Sequence, residues 1–258
     1  MMDVGPLADH IWDAVVSGEA TTPLTEDHPD LTVEAAYDIQ DAVQARYREA
    51  GDPVTALKLG LTSRAKQQQM NVSEPLYGWL TGSMALDVGQ PLVVSKLIQP
   101  RAEPEIAFIL GEDLAGSAVT AADVVAATAA VAPAIDILDS RFTGYRFTLA
   151  DVAADNSSAA RYLIGPTLTP PAGVDLRLVG CVFSKNGELV GTAAGAATLG
   201  DPAAAVAWAV RKLATRGGGL RAGQAVLSGA LVAAVPIAPG DHVLLELDRL
   251  GSLQLRGA

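Results

Sequence analysis

Apolar positions recur at helical spacing near the start of the chain. Leu7, Ile11, Trp12 and Val15 fall on one side of a helix over residues 6–17. A stronger helix is predicted over 31–52. Thr32 suits its N-cap, Val33, Ala36, Tyr37, Val43 and Tyr47 mark its apolar side, and Gly51 suits its stop. The segment TTPLTEDHPD between them reads as a turn-rich connection. VTALKLGLTS reads as a strand entering a polar turn, RAKQQQMNV as one or two helical turns, and PLYGWLTGSM as a loop or short strand. After Gly89 strand-like runs dominate: PLVVSKLI, EIAFIL, AIDILD, LRLVGCVFS, ELVGTAA, QAVLSGAL and HVLLELDRLGSLQLR. Two helices interrupt them. TAADVVAATAAV opens on Thr120 with Asp123 three residues on, close to a capping box. GDPAAAVAWAVRKLATRGGG places Asp201 as N-cap, Pro202 at the first position, Arg211 and Lys212 late, and Gly217 as stop. SKNGEL carries the Asn-Gly hairpin signal, so its flanking strands are expected to be antiparallel.

Many strands, few helices and no βαβα alternation predict an α+β fold, not a doubly wound sheet or a TIM barrel. We expect an N-terminal helical/αβ segment over residues 1–85 and a β-rich catalytic domain over 86–258. Half of the 258 residues are apolar and the mean hydropathy is +0.28, ample for a large core. Aromatics make up 5%, so that core is built of small aliphatics. The formal charge of −11, with no basic run, argues against nucleic acid or an anionic membrane as partner. Cys181, alone in an apolar run, excludes an internal disulfide and reads as a buried, inert thiol. No apolar stretch is long enough to span a membrane and no secretory signal is visible, so a cytoplasmic protein is expected.

RAEPEIAFIL carries the sharpest chemical signal. On a strand, Glu103 and Glu105 share a face, and two carboxylates in a poorly solvated place repel unless a cation or a shared proton compensates. The pair is either a solvated strand end or part of a cation or acid/base site. A hard divalent ion needs a third oxygen donor, and Asp136 in AIDILD is the candidate. Asp139 competes, but an odd offset of three puts it on the other face. Lys58 has apolar neighbours on both sides. It either snorkels to the surface, or faces an anionic substrate or donates a proton. Ser157 and Ser158 follow Asp155 and Asn156, a cluster that makes turns or binds a carboxylate. RGGGLRAG lacks the Lys-Ser/Thr of a phosphate loop, and His10, His28 and His242 show no metal-ligand spacing.

Taken together, the chain resembles the fumarylacetoacetate hydrolase superfamily, in its hydratase/decarboxylase branch. The carrying stretches are LKLGLTS, AKQQQMNV, EPLYGWL, SKLIQPRAEPEIAFIL, AIDILDSR, DVAADNSSAARYLIG, KNGELV, TAAGAATLGDPAAAVAWA and GLRAGQAVLSGALVAAVPIAPGDHV. They run in family order over most of residues 30–253. The resemblance implies a mixed β-sandwich or roll, and Mg2+ or Mn2+ on Glu103, Glu105 and Asp136. It implies Lys58 and Ser158 as catalytic residues, and Leu76, Arg141, Asn156 and Ser228 as substrate-binding ones. The implied reaction is decarboxylation of a 2-oxo-enedioate to a 2-hydroxydienoate in aromatic meta-cleavage catabolism. Hydration of a 2-hydroxydienoate, C–C hydrolysis of an acylpyruvate and an inactive partner subunit are the alternatives. A homo-oligomer and a complex with a partner hydratase are further expectations. Three positions depart from the family pattern: Asp136 where near relatives carry Glu, Leu76 where hydratases carry an acid, and Asp201 where relatives carry His.

Overall fold

A computed structural model describes residues 3–69, 72 and 74–258. Three helices open the chain: α1 (Val4–Ser17), α2 (Leu24–Asp27) and α3 (Val33–Glu49). The Asp3 side chain caps α1 and Thr32 caps α3 by accepting from the Ala35 N–H. There follow β1 (Val54–Gly60), α4 (Arg64–Gln69), β2 (Leu76–Thr81), β3 (Arg101–Leu110), β4 (Leu114–Ala115), α5 (Ala121–Ala127) and β5 (Thr128–Leu138). The chain continues through α6 (Leu149–Ala154), β6 (Ala159–Ile164), β7 (Gly180–Lys185), β8 (Glu188–Ala194) and α7 (Pro202–Ala214). It ends with β9 (Gly219–Leu220), β10 (Ala225–Leu227), β11 (Val235–Pro236), β12 (His242–Leu247) and β13 (Gly251–Arg256).

The strands form a curled, mixed sheet in the order β2-β1-β10-β3-β5-β6, with β11 against the start of β3. Among the described residues, only the β1–β10 strand pair in it is parallel. A second, antiparallel sheet runs β13-β12-β7-β8, and β4 pairs with β9. The α+β expectation holds, in a half-barrel wrapped by small helices. β1 and β2, from the segment before residue 85, belong to the same sheet as the later strands. The apolar core runs from Leu7 and Ile11 under α1 through Leu57, Phe108 and Ile135 in the sheet to Val206 and Val210 on α7.

Several local expectations are met. Asn186 and Gly187, both at positive φ, turn the β7–β8 hairpin. Asp201 accepts from the Ala203 N–H and Pro202 opens α7. The Thr120/Asp123 capping box is formed on both sides. Two expectations are corrected. The helix predicted over TAADVVAATAAV stops at Ala127, because Thr128–Val131 pair with the far end of β3, whose ten residues offer an uncovered edge. PLVVSKLI is not a strand. Leu92 and Val94 instead donate to the chain's last residues, Arg256 and Ala258, and Val94–Lys96 form a single tight turn. Met70 and Asn71 of RAKQQQMNV lie outside the described residues.

Candidate active site

β3 and β5 form the longest strand pair, and their register sets Glu103 directly opposite Asp136. Glu105 follows on the same face of β3, so three carboxylates converge: one donor oxygen from each lies within 4.8 Å of the others. All three side chains are buried. Asp136 therefore reaches the cluster although it is one methylene shorter than glutamate.

Pro104 does not interrupt the pair. Its carbonyl accepts from the Leu231 N–H, and on a strand the N–H and C=O of one residue point the same way. The missing donor thus faces the loop between β10 and β11, not β5.

Lys58 comes from β1, which β10 and β3 separate from β5. Laid flat, those strands would stand about 14 Å apart at ~4.8 Å per step. The curl of the sheet closes that gap, and Lys58 Nζ lies 2.8 Å from Asp136 Oδ2. Nζ also donates to the Ser157 carbonyl at 3.1 Å. Burial lowers the Lys58 pKa, but Asp136, Glu103 and Glu105 outweigh it and hold the ammonium above its ordinary value. Snorkelling is excluded, since the side chain is 1% exposed.

Glu105 Oε2 accepts from the Gly229 N–H, while its Oε1 and Asp136 Oδ1 have no hydrogen-bond partner among the described residues. Burial, then Asp136 and Glu103, push the Glu105 pKa well above the usual carboxyl range. Burial also raises Asp136, against the lowering pull of Lys58. Glu105 Oε1 and Asp136 Oδ1 are thus buried oxygens left without a donor, and with Glu103 in the same cluster they make an all-oxygen, acidic set that fits a hard dication such as Mg2+ or Mn2+.

The Ser157 carbonyl is placed by unusual backbone. Asn156, Ser157 and Ser158 take φ of 53°, 54° and 55°, the left-handed region that L-residues avoid. The Asn156 side chain pins this turn to β2: its Oδ1 accepts from the Trp79 N–H at 2.7 Å and its Nδ2 donates to the Trp79 carbonyl at 2.8 Å. Two glycines make room. A Cβ on Gly78 would sit 2.2 Å from the Asn156 carbonyl oxygen, and one on Gly60 2.5 Å from Ser157 Oγ.

Beside the carboxylates lies a cavity of about 330 Å3. Lys58, Glu103, Ser157 and Ser158 supply its polar wall, and Leu61, Leu76, Leu138, Phe147 and Val152 its apolar one. Arg101 and Tyr145 complete it on one side. Of the expected residues, Lys58, Glu103, Glu105 and Asp136 are brought together, and Leu76 and Ser158 join them at the cavity. Three are not brought to it. Asn156 spends its amide on Trp79. Ser228 Oγ donates to the Ile106 carbonyl at 2.9 Å, splicing β10 to β3.

Arg141 pairs with Asp155 and donates to the Asp139 and Ala159 carbonyls, so its guanidinium is spent on the loop. Burial lifts the Asp155 pKa to about 6 against that arginine's pull. Asp139 faces away, as its offset predicted, and accepts from the Ile98 and Gln99 N–H groups. Ser157, named from the sequence with Ser158 as a turn or carboxylate-binding pair, lines the cavity as well, whereas Arg101, Tyr145 and Phe147 were not singled out as site residues from the sequence. Arg101 carried a usable signal, the two-residue offset from Glu103.

Residues 43–256 match the family described as Fumarylacetoacetate (FAA) hydrolase C-terminal. The chain belongs to the fumarylacetoacetate hydrolase family. Within it, the chain is 40% identical over 250 residues to the 4-oxalocrotonate decarboxylase of Pseudomonas sp. (strain CF600), covering 97% of this chain and 95% of that one. It is 41% identical over 249 residues to the 2-hydroxyhexa-2,4-dienoate hydratase of Comamonas testosteroni, covering 95% and 94%. A solved structure of this family, the 4-oxalocrotonate decarboxylase from Pseudomonas putida G7 complexed with magnesium and adipate, superposes with a TM-score of 0.96. Its identity to this chain is 38%, over 99% of this chain and 97% of that one. Among the described residues no helix is long and apolar enough to cross a membrane.

Proposed function

We propose that the protein is a divalent-metal-dependent decarboxylase acting on a 2-oxo-enedioate of the 4-oxalocrotonate type. The observation that carries this is the buried Glu103/Glu105/Asp136 cluster, with orphaned oxygens on Glu105 and Asp136, beside a mostly apolar cavity. A dication held by those carboxylates supplies Lewis-acid polarisation of the 2-oxo acid. The substrate is a vinylogous β-keto acid. Its bond to the far carboxylate breaks, CO2 leaves, and the electron pair moves through the conjugated system to the C2 oxygen, which takes up one proton to give the 2-hydroxydienoate.

Lys58 has three N–H donors and spends two on Asp136 and Ser157. The third is left for the substrate, so the ammonium stands against the oxygen that gathers charge. Ser158 lines the same wall and orients a substrate oxygen. Leu76, with Leu138, Phe147 and Val152, keeps water from the conjugated product.

Leu76 also separates this reading from hydration, which the similarity to hydratases brings forward. Glu103 is the one carboxylate among the described cavity walls, and it is committed to the cation cluster. Purified protein with Mg2+ is expected to release CO2 from 2-oxohex-3-enedioate and to leave 2-hydroxypenta-2,4-dienoate unconsumed. Consumption of the dienoate without CO2 release from the enedioate overturns the assignment. The same proposal includes a cytoplasmic homo-oligomer that associates with a hydratase, checked by sedimentation with and without that enzyme.

A further inference from the structure

We propose that Arg101 reads the far carboxylate of the substrate and makes the cavity selective for diacids over monoacids. This rests on the reading of the cavity as a 2-oxo acid site. Arg101 opens β3 on the face that carries Glu103 and Glu105. Same-face neighbours on a strand stand about 7 Å apart. The guanidinium is therefore rooted one step outward from the carboxylate cluster, a separation that a six-carbon diacid bridges and a three-carbon acid does not.

The side chain is held but not spent. Arg101 Cζ lies 4.1 Å over the centre of the Tyr145 ring. Tyr145 is itself fixed: its hydroxyl donates to the Gln99 carbonyl at 3.2 Å, and the Gln99 side chain takes the Gly144 N–H and donates to the Ser140 and Phe142 carbonyls. This contact with the ring holds the guanidinium in place without committing its five N–H donors to an acceptor oxygen. Among the described residues the Arg101 guanidinium has no hydrogen-bond or ion-pair partner. Leu138, Phe147, Ala233 and Ala234 line the same cavity, so a carboxylate meeting that edge does so with little competing water. Arg141, the arginine first expected to bind substrate, offers the contrast, since its donors are committed to Asp155, Asp139 and Ala159.

In the proposed reaction the far carboxylate is the group lost as CO2. Its pairing with Arg101 is strongest in the bound substrate and fades as the carboxylate gives up its charge. Arg101 thus contributes to KM and not to kcat.

The test is calorimetry on the Mg2+-loaded protein with 2-oxoadipate and 2-oxohexanoate, which differ only in the far carboxylate. The wild type is expected to bind 2-oxoadipate about 10- to 100-fold more tightly. R101Q is expected to lose that preference while binding 2-oxohexanoate as before, which also shows that it folds, and R101K to keep part of it. In turnover, R101Q raises KM for the enedioate by a similar factor without lowering kcat. Retention of the preference by R101Q, or a loss of kcat with KM unchanged, overturns the proposal. Equal binding of the two acids by the wild type overturns it alone, whereas failure of both to bind overturns the 2-oxo acid reading with it.

Discussion

Replacing Lys58 by methionine separates the two cations that the carboxylate cluster accommodates. The substitution keeps an unbranched side chain, one atom shorter, and removes its charge. Lys58 Nζ and Asp136 Oδ2 are 2.8 Å apart and both residues are at most 1% exposed. Breaking a buried pair by removing one partner costs about 3–5 kcal/mol. At roughly 2–4 °C per kcal/mol for a chain of this size, the metal-free variant melts about 6–20 °C below the metal-free wild type. A bound dication acts in the opposite sense. In the wild type it meets a resident ammonium, and in the variant it does not. If only ~1.4 kcal/mol of that repulsion is recovered, metal affinity rises about tenfold. Thermal unfolding with and without Mg2+ is the assay, with the ion titrated at fixed pH. The metal-induced rise in Tm is expected to be larger in Lys58→Met than in the wild type, while CO2 release falls by at least ~100-fold. An equal or smaller rise would mean that Lys58 and the metal do not share these carboxylates, and the reading of the cluster would fail.

Two further outcomes follow from the same geometry. Gly78→Ala places a Cβ 2.2 Å from the Asn156 carbonyl, a backbone atom that cannot move aside cheaply. We expect about 1–3 kcal/mol of destabilisation and a loss of decarboxylation, read by denaturant unfolding and by turnover; wild-type values in both refute the account of the turn. The Glu105 carboxyl lies well above its unfolded value, raised by burial and by its acidic neighbours. Its contribution to stability is therefore present below the ordinary carboxyl range and is lost as pH rises through the raised value. Metal binding must displace that proton, so Mg2+ affinity increases with pH, and calorimetry in buffers of different ionisation enthalpy will register proton release. A pH-independent affinity with no release would sink this linkage.

How much of this was legible in the sequence depends on the range of the interaction. Alternation along one strand put Glu103 and Glu105 together and separated Asp136 from Asp139, because those are rules of a single element. The caps at Thr32, Thr120 and Asp201 and the Asn186-Gly187 turn were legible for the same reason. The misread helix end at Ala127 and the misread strand PLVVSKLI share one cause. In each, a distant segment competes for the backbone hydrogen bonds: β3 in the first case, the last residues of the chain in the second. Arg141 could not be separated from Arg101 without the fold, since its commitment to Asp155 depends on how the turn after α6 returns to the end of β5. Tyr145 follows Gly144 in a turn where both have positive φ, and no pattern of apolar positions announces that its ring lies under an arginine.

Curvature is what converts these strand-level rules into a site. β3 and β5 alone assemble three carboxylates, and burying them without a counter-charge would be prohibitive. The compensating ammonium comes from β1, two positions from β3 and three from β5, so it arrives only if the sheet curls enough to bring the inner faces of β1 and β5 together. The same curl brings β2 against the left-handed turn at Asn156–Ser158, whose carbonyl holds Lys58 from behind. Gly60 and Gly78, on the two strands at that edge, are the positions where a larger residue would hold turn and strands apart. Lys58 is thus aimed by its partners on both sides, Asp136 across the half-barrel and Ser157 behind it. The shortness of Asp136 fits this arrangement. A long lysine reaching across a narrow cleft meets a short acid at 2.8 Å, and the acid still keeps one oxygen, Oδ1, unpartnered for a cation.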